Sequence, residues 1–183
     1  MAKTVQAKKS GAKPPKTKKE AAARPAAPST LPAIGRKAPA FSLPADDGGT
    51  VSLRALAGKK VVLYFYPKDD TPGCTAEAVA FTARRKDFDA AGAIVIGISR
   101  DTVASHCKFK SKHALSITLA SDETGATLEK YGVWVEKRLY GRTYMGIERT
   151  TFLIDGTGVI RAVWPKVKVA GHAGEVLAAV QAL

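Results

Sequence analysis

The chain has 183 residues, a net charge of +13, 45% hydrophobic residues and two cysteines. This is long enough for one domain with a core that needs no disulfide staples, and two cysteines exclude a disulfide-rich secreted scaffold. No uncharged apolar run approaches the roughly 18 residues of a membrane span, so no membrane association is expected.

The excess charge is uneven. Residues 1–33 carry eight basic side chains against Glu20 alone, which is more than half of the total excess. They are rich in Ala, Lys and Pro and poor in large apolar side chains. A disordered tail over 1–33 and one folded domain over 34–183 are therefore expected. Lysines neutralise phosphate without reading sequence, so the tail is either a weak polyanion tether or a solubilising extension. It lacks the apolar stretch of a secretory signal, and a cytoplasmic setting is expected.

Along the domain, Phe41–Leu43 and Val51–Leu53 flank Asp46-Asp47-Gly48-Gly49 and read as an N-terminal hairpin. Val61–Tyr66 is a continuous apolar run stopped by Pro67, the mark of a strand buried on both faces. A helix is expected over 72–91, with Ala78, Phe81, Phe88 and Ala91 at helical spacing and Gly92 ending it. Ile94–Ile98 reads as a second buried strand, 102–114 as a helix and 123–131 as a shorter one. Tyr140, Tyr144 and Met145 fall in an expected loop between Trp134 and Arg149. Thr151–Ile154 and Val159–Val163 flank Asp155-Gly156-Thr157-Gly158 as another hairpin, and a last helix spans 171–182. This order is an α/β pattern with a mixed central sheet flanked by helices.

In open sheets of this kind chemistry sits beyond the carboxyl end of a central strand. For the first buried strand that place is followed by Lys68-Asp69-Asp70-Thr71-Pro72-Gly73-Cys74. Thr71 suits the N-cap and Pro72 the first helical position. Cys74 then falls in the first turn, where unpaired N–H groups and the helix dipole favour an ionised sulfur. Gly73 lets backbone approach a small ligand closely. The pattern describes an activated nucleophile, and the alternative is an inert buried cysteine.

Pro67-x-x-x-Thr71-x-x-Cys74 resembles the signature motif of the peroxiredoxins. The wider run Tyr64-Phe65-Tyr66-Pro67 through Cys74-Thr75-x-Glu77 is similar to the PrxQ, or bacterioferritin comigratory protein, class. So are Gly97-Ile98-Ser99 with Asp101, Tyr131-Gly132-Val133-Trp134, and Gly146–Asp155. The resemblance covers residues 34–183 and implies a thioredoxin fold and peroxide reduction. It makes Cys74 the peroxidatic cysteine, passing through a sulfenic acid. The Thr71 hydroxyl is implied to hydrogen-bond the thiolate and the peroxide, and the Gly73 and Cys74 N–H groups to bind peroxide oxygen. Pro67 is implied to shield the site, and Arg149 to place a fixed cation near sulfur. Glu77, one turn beyond Cys74, either orients Arg149 or complements the helix dipole.

The resemblance also implies a thiol reductant, with thioredoxin expected, and hydrogen peroxide and organic hydroperoxides as substrates. It requires no metal, haem or flavin, and implies a monomer. The resolving cysteine that many PrxQ-like proteins carry five residues after the first is replaced here by Val79. Cys107, on the helix expected over 102–114, is the resolving candidate, and an external thiol is the alternative. The spacing of His106, His113 and His172 does not suggest a metal site. Two other functions stay in view: a nucleic-acid-associated protein acting through its tail, and a thioredoxin-fold disulfide exchanger. The second lacks a partner two or three residues from Cys74.

Overall fold

A computed structural model of the chain describes Met1 and residues 30–183. The expected tail therefore falls almost wholly outside the described residues. The chain is already packed at Leu31, which contacts the core three residues before the expected boundary at 34.

The core is a five-stranded mixed sheet in the order β5 (118–121), β4 (93–99), β3 (60–65), β8 (150–154), β9 (160–164). Its centre is β3 (Lys60–Phe65), parallel to β4 (Ala93–Ser99) and antiparallel to β8 (Thr150–Ile154). The outer strands are β5 (Thr118–Ser121), parallel to β4, and β9 (Ile160–Trp164), antiparallel to β8. A central strand must be apolar on both faces, and β3 is. Val62, Tyr64 and Tyr66 point to one side, while Val61, Leu63 and Phe65 point to the other.

The first face is covered by α1 (Pro72–Ala83), α2 (Arg85–Ala90), α3 (Val103–Lys112) and α5 (His172–Gln181), through Phe81, Phe88, Phe109 and Val176. The second is covered by α4 (Ala126–Lys130) with Tyr131, and by the hairpin β1 (Ser42–Pro44) and β2 (Thr50–Ser52). This is the thioredoxin fold expected from the resemblance.

Three expectations need correction. The single helix over 72–91 is two helices, because at Arg84 the N–H turns back to the Phe81 carbonyl in a tightened turn. A strand, β5, follows α3, where the sequence pattern predicts none. Residues 134–147 are not a loop but a hairpin, β6 (Trp134–Leu139) against β7 (Arg142–Ile147). Its two-residue turn, Tyr140-Gly141, has positive φ at both positions (48° and 74°), the geometry that matches strand twist.

Candidate active site

The loop between β3 and α1 delivers Cys74 to the first turn of α1. Thr71 is at the N-cap in extended conformation and Pro72 opens the helix. The first helical bond runs from Thr75 N to Thr71 O at 2.8 Å. No acceptor among the described residues takes the N–H groups of Gly73 or Cys74, so two donors remain beside the sulfur.

Cys74 is 2% exposed, and its Sγ accepts a hydrogen bond from Arg149 Nη2 at 3.2 Å. Arg149 comes from the turn between β7 and β8. Its Nη1 is ion-paired with Glu77 Oε2, one turn along α1. One planar guanidinium thus faces both a carboxylate and a sulfur, as its fork of donors permits. Burial opposes the Arg149 charge, but Glu77 and Cys74 more than offset it and hold its pKa above the ordinary value. Burial pushes the Glu77 carboxyl up to about 7, with Arg149 pulling in the other direction. A Cβ at Gly73 would lie 3.4 Å from Arg149 Nη2, so glycine keeps the approach to the guanidinium open.

The Thr71 hydroxyl departs from expectation. It donates to the Lys68 carbonyl at 3.1 Å, closing the loop on itself, and its single proton is not directed at sulfur. It makes no N-cap hydrogen bond either. Pro67 is exposed and forms the rim of a cleft of about 380 Å³ that is also lined by Arg100, Trp134, Lys137, Tyr144 and Ile147. The unforeseen β6–β7 hairpin is therefore one wall of this cleft. Lys137 is half-buried there, and its Nζ donates to the Ile147 carbonyl at 2.5 Å.

Cys107 is exposed on α3 and is not joined to Cys74. Its thiol donates to the Asp46 carbonyl at 3.2 Å, and Lys110, one turn on, is ion-paired with Asp46. This stripe of α3 faces the β1–β2 turn. The adjoining stripe, with His106 and Phe109, faces the core. The histidines do not converge: His106 and His113 bond to Asp69 and Asp70, and His172 to Thr151. Sequence reasoning did not single out Asp69, which receives three side-chain hydrogen bonds beneath the loop. Its partners Ser105 and His106 lie more than thirty residues away, so no local pattern marks them.

The AhpC/TSA family model matches residues 34–163. Relatives include a bcp peroxiredoxin of Coxiella burnetii, 57% identical over 144 residues, 79% of this chain and 95% of that protein. Peroxiredoxin Bcp of Bacillus subtilis is 48% identical over 144 residues, 79% of this chain and 92% of that protein. A solved structure of the Xanthomonas campestris bacterioferritin comigratory protein, studied for alkyl peroxide reduction, superposes with TM-score 0.75. It is 46% identical and covers 78% of this chain and 90% of that one. The chain belongs to the AhpC/TSA family, as a peroxiredoxin of the Bcp/PrxQ class. It is a thiol-dependent peroxidase.

Proposed function

We propose that Cys74 is the reacting sulfur of this peroxidase and that Arg149 activates it. The observation that carries the reading is the 3.2 Å hydrogen bond from Arg149 Nη2 to Cys74 Sγ. A cationic donor favours the thiolate over the thiol. The thiolate attacks the terminal oxygen of R–O–O–H. An S–O bond forms and the O–O bond breaks, leaving Cys74 as a sulfenic acid and releasing RO⁻, which takes a proton from solvent. Sulfur loses two electrons and the peroxide gains them, so no metal or organic cofactor is needed. Arg149 and the free N–H groups of Gly73 and Cys74 stabilise the departing oxyanion. Glu77 orients Arg149. The Thr71 hydroxyl joins by rotating away from Lys68 when peroxide arrives. Pro67 keeps bulk water from the rim.

Both hydrogen peroxide and organic hydroperoxides suit the site. The Xanthomonas relative is described by its alkyl peroxide reduction, and the cleft at Pro67 offers apolar surface from Trp134, Tyr144 and Ile147 for an organic substituent. In the second half-reaction a thiolate attacks the sulfenic sulfur, forms a disulfide and expels the hydroxyl, which leaves as water. A second thiol then reduces that disulfide, with thioredoxin as the proposed donor. Cys107, the chain's second cysteine, supplies the thiolate of the first of these steps, a reading supported by the bonds of its neighbours Ser105 and His106 to the catalytic loop. It must turn from Asp46 to reach Cys74. Reduced thiols suit the cytoplasm. The protein acts as a monomer, and the basic tail adds weak polyanion affinity.

Intact-mass analysis after one equivalent of peroxide tests the reading. In wild type the mass falls by two hydrogens, through a Cys74–Cys107 disulfide. In Cys107→Ser it rises by one oxygen, at Cys74. An oxygen retained by wild type, with thioredoxin turnover unchanged in Cys107→Ser, would assign resolution to an external thiol.

A further inference from the structure

The chemistry at Cys74 makes no use of Asp69, a buried aspartate within its loop. Asp69 is 7% exposed. Its carboxylate accepts from Tyr66 Oη at 2.7 Å, Ser105 Oγ at 2.7 Å and His106 Nδ1 at 2.9 Å. Its own N–H donates to Asp101 Oδ2 at 2.8 Å, an oxygen that also accepts from Ser99 Oγ at 2.8 Å. Burial raises the Asp69 pKa, but the bonds from His106, Ser105 and Tyr66 more than offset it and leave the group ionised. His106 is fully buried and its Nε2 has no partner among the described residues, so Asp69 and Tyr66 alone receive its ring.

The next residue repeats the tie at the other end of the helix. Asp70, at φ 57°, pairs with Lys112 Nζ at 2.6 Å and His113 Nε2 at 2.7 Å. Two consecutive aspartates of the Cys74 loop thus grip the start and the end of α3, and Cys107 lies between the grips. The outer grip is exposed and weak; the inner one is buried, and each of its bonds to the charged carboxylate is worth more than a neutral one.

We propose that Asp69 is a positioning residue that makes the Cys74 loop and helix α3 open and close as one body. While the hub is intact, Cys74 is held at the helix start and Cys107 is turned to Asp46. When it parts, both segments are released together, and the two sulfurs gain the freedom to meet. The link to turnover rests on Cys74 and Cys107 being the reacting pair; the mechanical coupling does not.

Amide hydrogen exchange on the full chain tests the coupling without reference to activity. Asp69→Asn is expected to speed exchange about tenfold or more in both 68–76 and 103–113, with β3 and β8 unchanged. Ser105→Ala, a milder cut at the same hub, should move both segments in the same direction by less, and serves if Asp69→Asn does not fold. The proposal is overturned if 103–113 keeps its wild-type exchange while 68–76 accelerates, or if neither segment changes. It is equally overturned if β3 and β8 accelerate in step, since Asp69 would then merely support the fold. In the peroxide reaction, Asp69→Asn should slow sulfenic acid formation and speed the following disulfide step. A wild type that forms no disulfide, alongside coupled exchange, would remove Cys107 from the reaction and leave the latch standing.

Discussion

At the scale of single residues, the site is one cation shared between a carboxyl group and a sulfur. Arg149 gives one nitrogen to Glu77 and the other to Cys74. Removing that donor in Arg149→Met should slow Cys74 oxidation by about 10²–10³-fold, the usual cost of losing one preorganised donor. Arg149→Lys should recover little, because an ammonium cannot span both partners in one plane. Stopped-flow oxidation with hydrogen peroxide measures both. Glu77 leaves a signature in stability. Its folded pKa is raised from 4.5 to about 7, so the folded state holds this proton more tightly than the unfolded chain. The stability it contributes is complete below about pH 4.5 and is lost as pH rises through about 7. Between pH 5 and pH 8 wild type should lose roughly 2 kcal/mol relative to Glu77→Gln. Urea denaturation of the two proteins at both pH values checks the sign; equal losses would contradict it.

At the scale of elements, β3 and β4 fit through one missing side chain. Tyr64 lies opposite Gly97 in the parallel register, and a Cβ at position 97 would come within 2.5 Å of the Tyr64 ring. Tyr64 in turn stacks on Tyr66 and Phe81, with ring centroids 5.5 and 4.9 Å apart. Gly97→Ala should therefore cost about 1–3 kcal/mol by overpacking, read as a lower urea midpoint. It should also disturb the site, because Phe81 is on α1, the helix whose first turn holds Cys74. The same strands show what the sequence makes legible. Val61–Tyr66 and Ile94–Ile98 are uninterrupted apolar runs, which only a strand buried on both faces needs. Thr71-Pro72 likewise marks the start of α1. The β6–β7 hairpin was hidden because its strands carry Glu136, Lys137, Arg138 and Arg142, and its turn is Tyr-Gly rather than Asn-Gly or Asp-Gly. The Asp69 hub was hidden for a different reason: two of its three donors, Ser105 and His106, come from α3, which only the folded chain brings to the loop.

At the scale of the whole molecule, the proposed chemistry and the densest basic charge fall in different parts of the sequence. The reacting groups all lie between residues 67 and 149, while the densest basic segment precedes the described fold. Deleting residues 2–29 should leave peroxide reduction with a dithiol reductant unchanged within about twofold. It should also weaken retention on heparin and lower the salt needed for elution, because the lysine–polyanion contacts of the tail are lost. A truncated protein that loses its peroxidase rate would show the tail to be part of the enzyme. The fold itself supports this division. Cys74 sits in the first turn of α1, beyond the carboxyl end of the central strand, and Leu31 already packs against the core.

The central claim is that one sulfur performs the first step. Single-turnover consumption of hydrogen peroxide by the reduced protein, compared among wild type, Cys74→Ser and Cys107→Ser, tests it most directly. One equivalent should disappear at the same rate in wild type and Cys107→Ser, and none in Cys74→Ser. Persistent consumption by Cys74→Ser, or its loss in Cys107→Ser alone, would contradict the account.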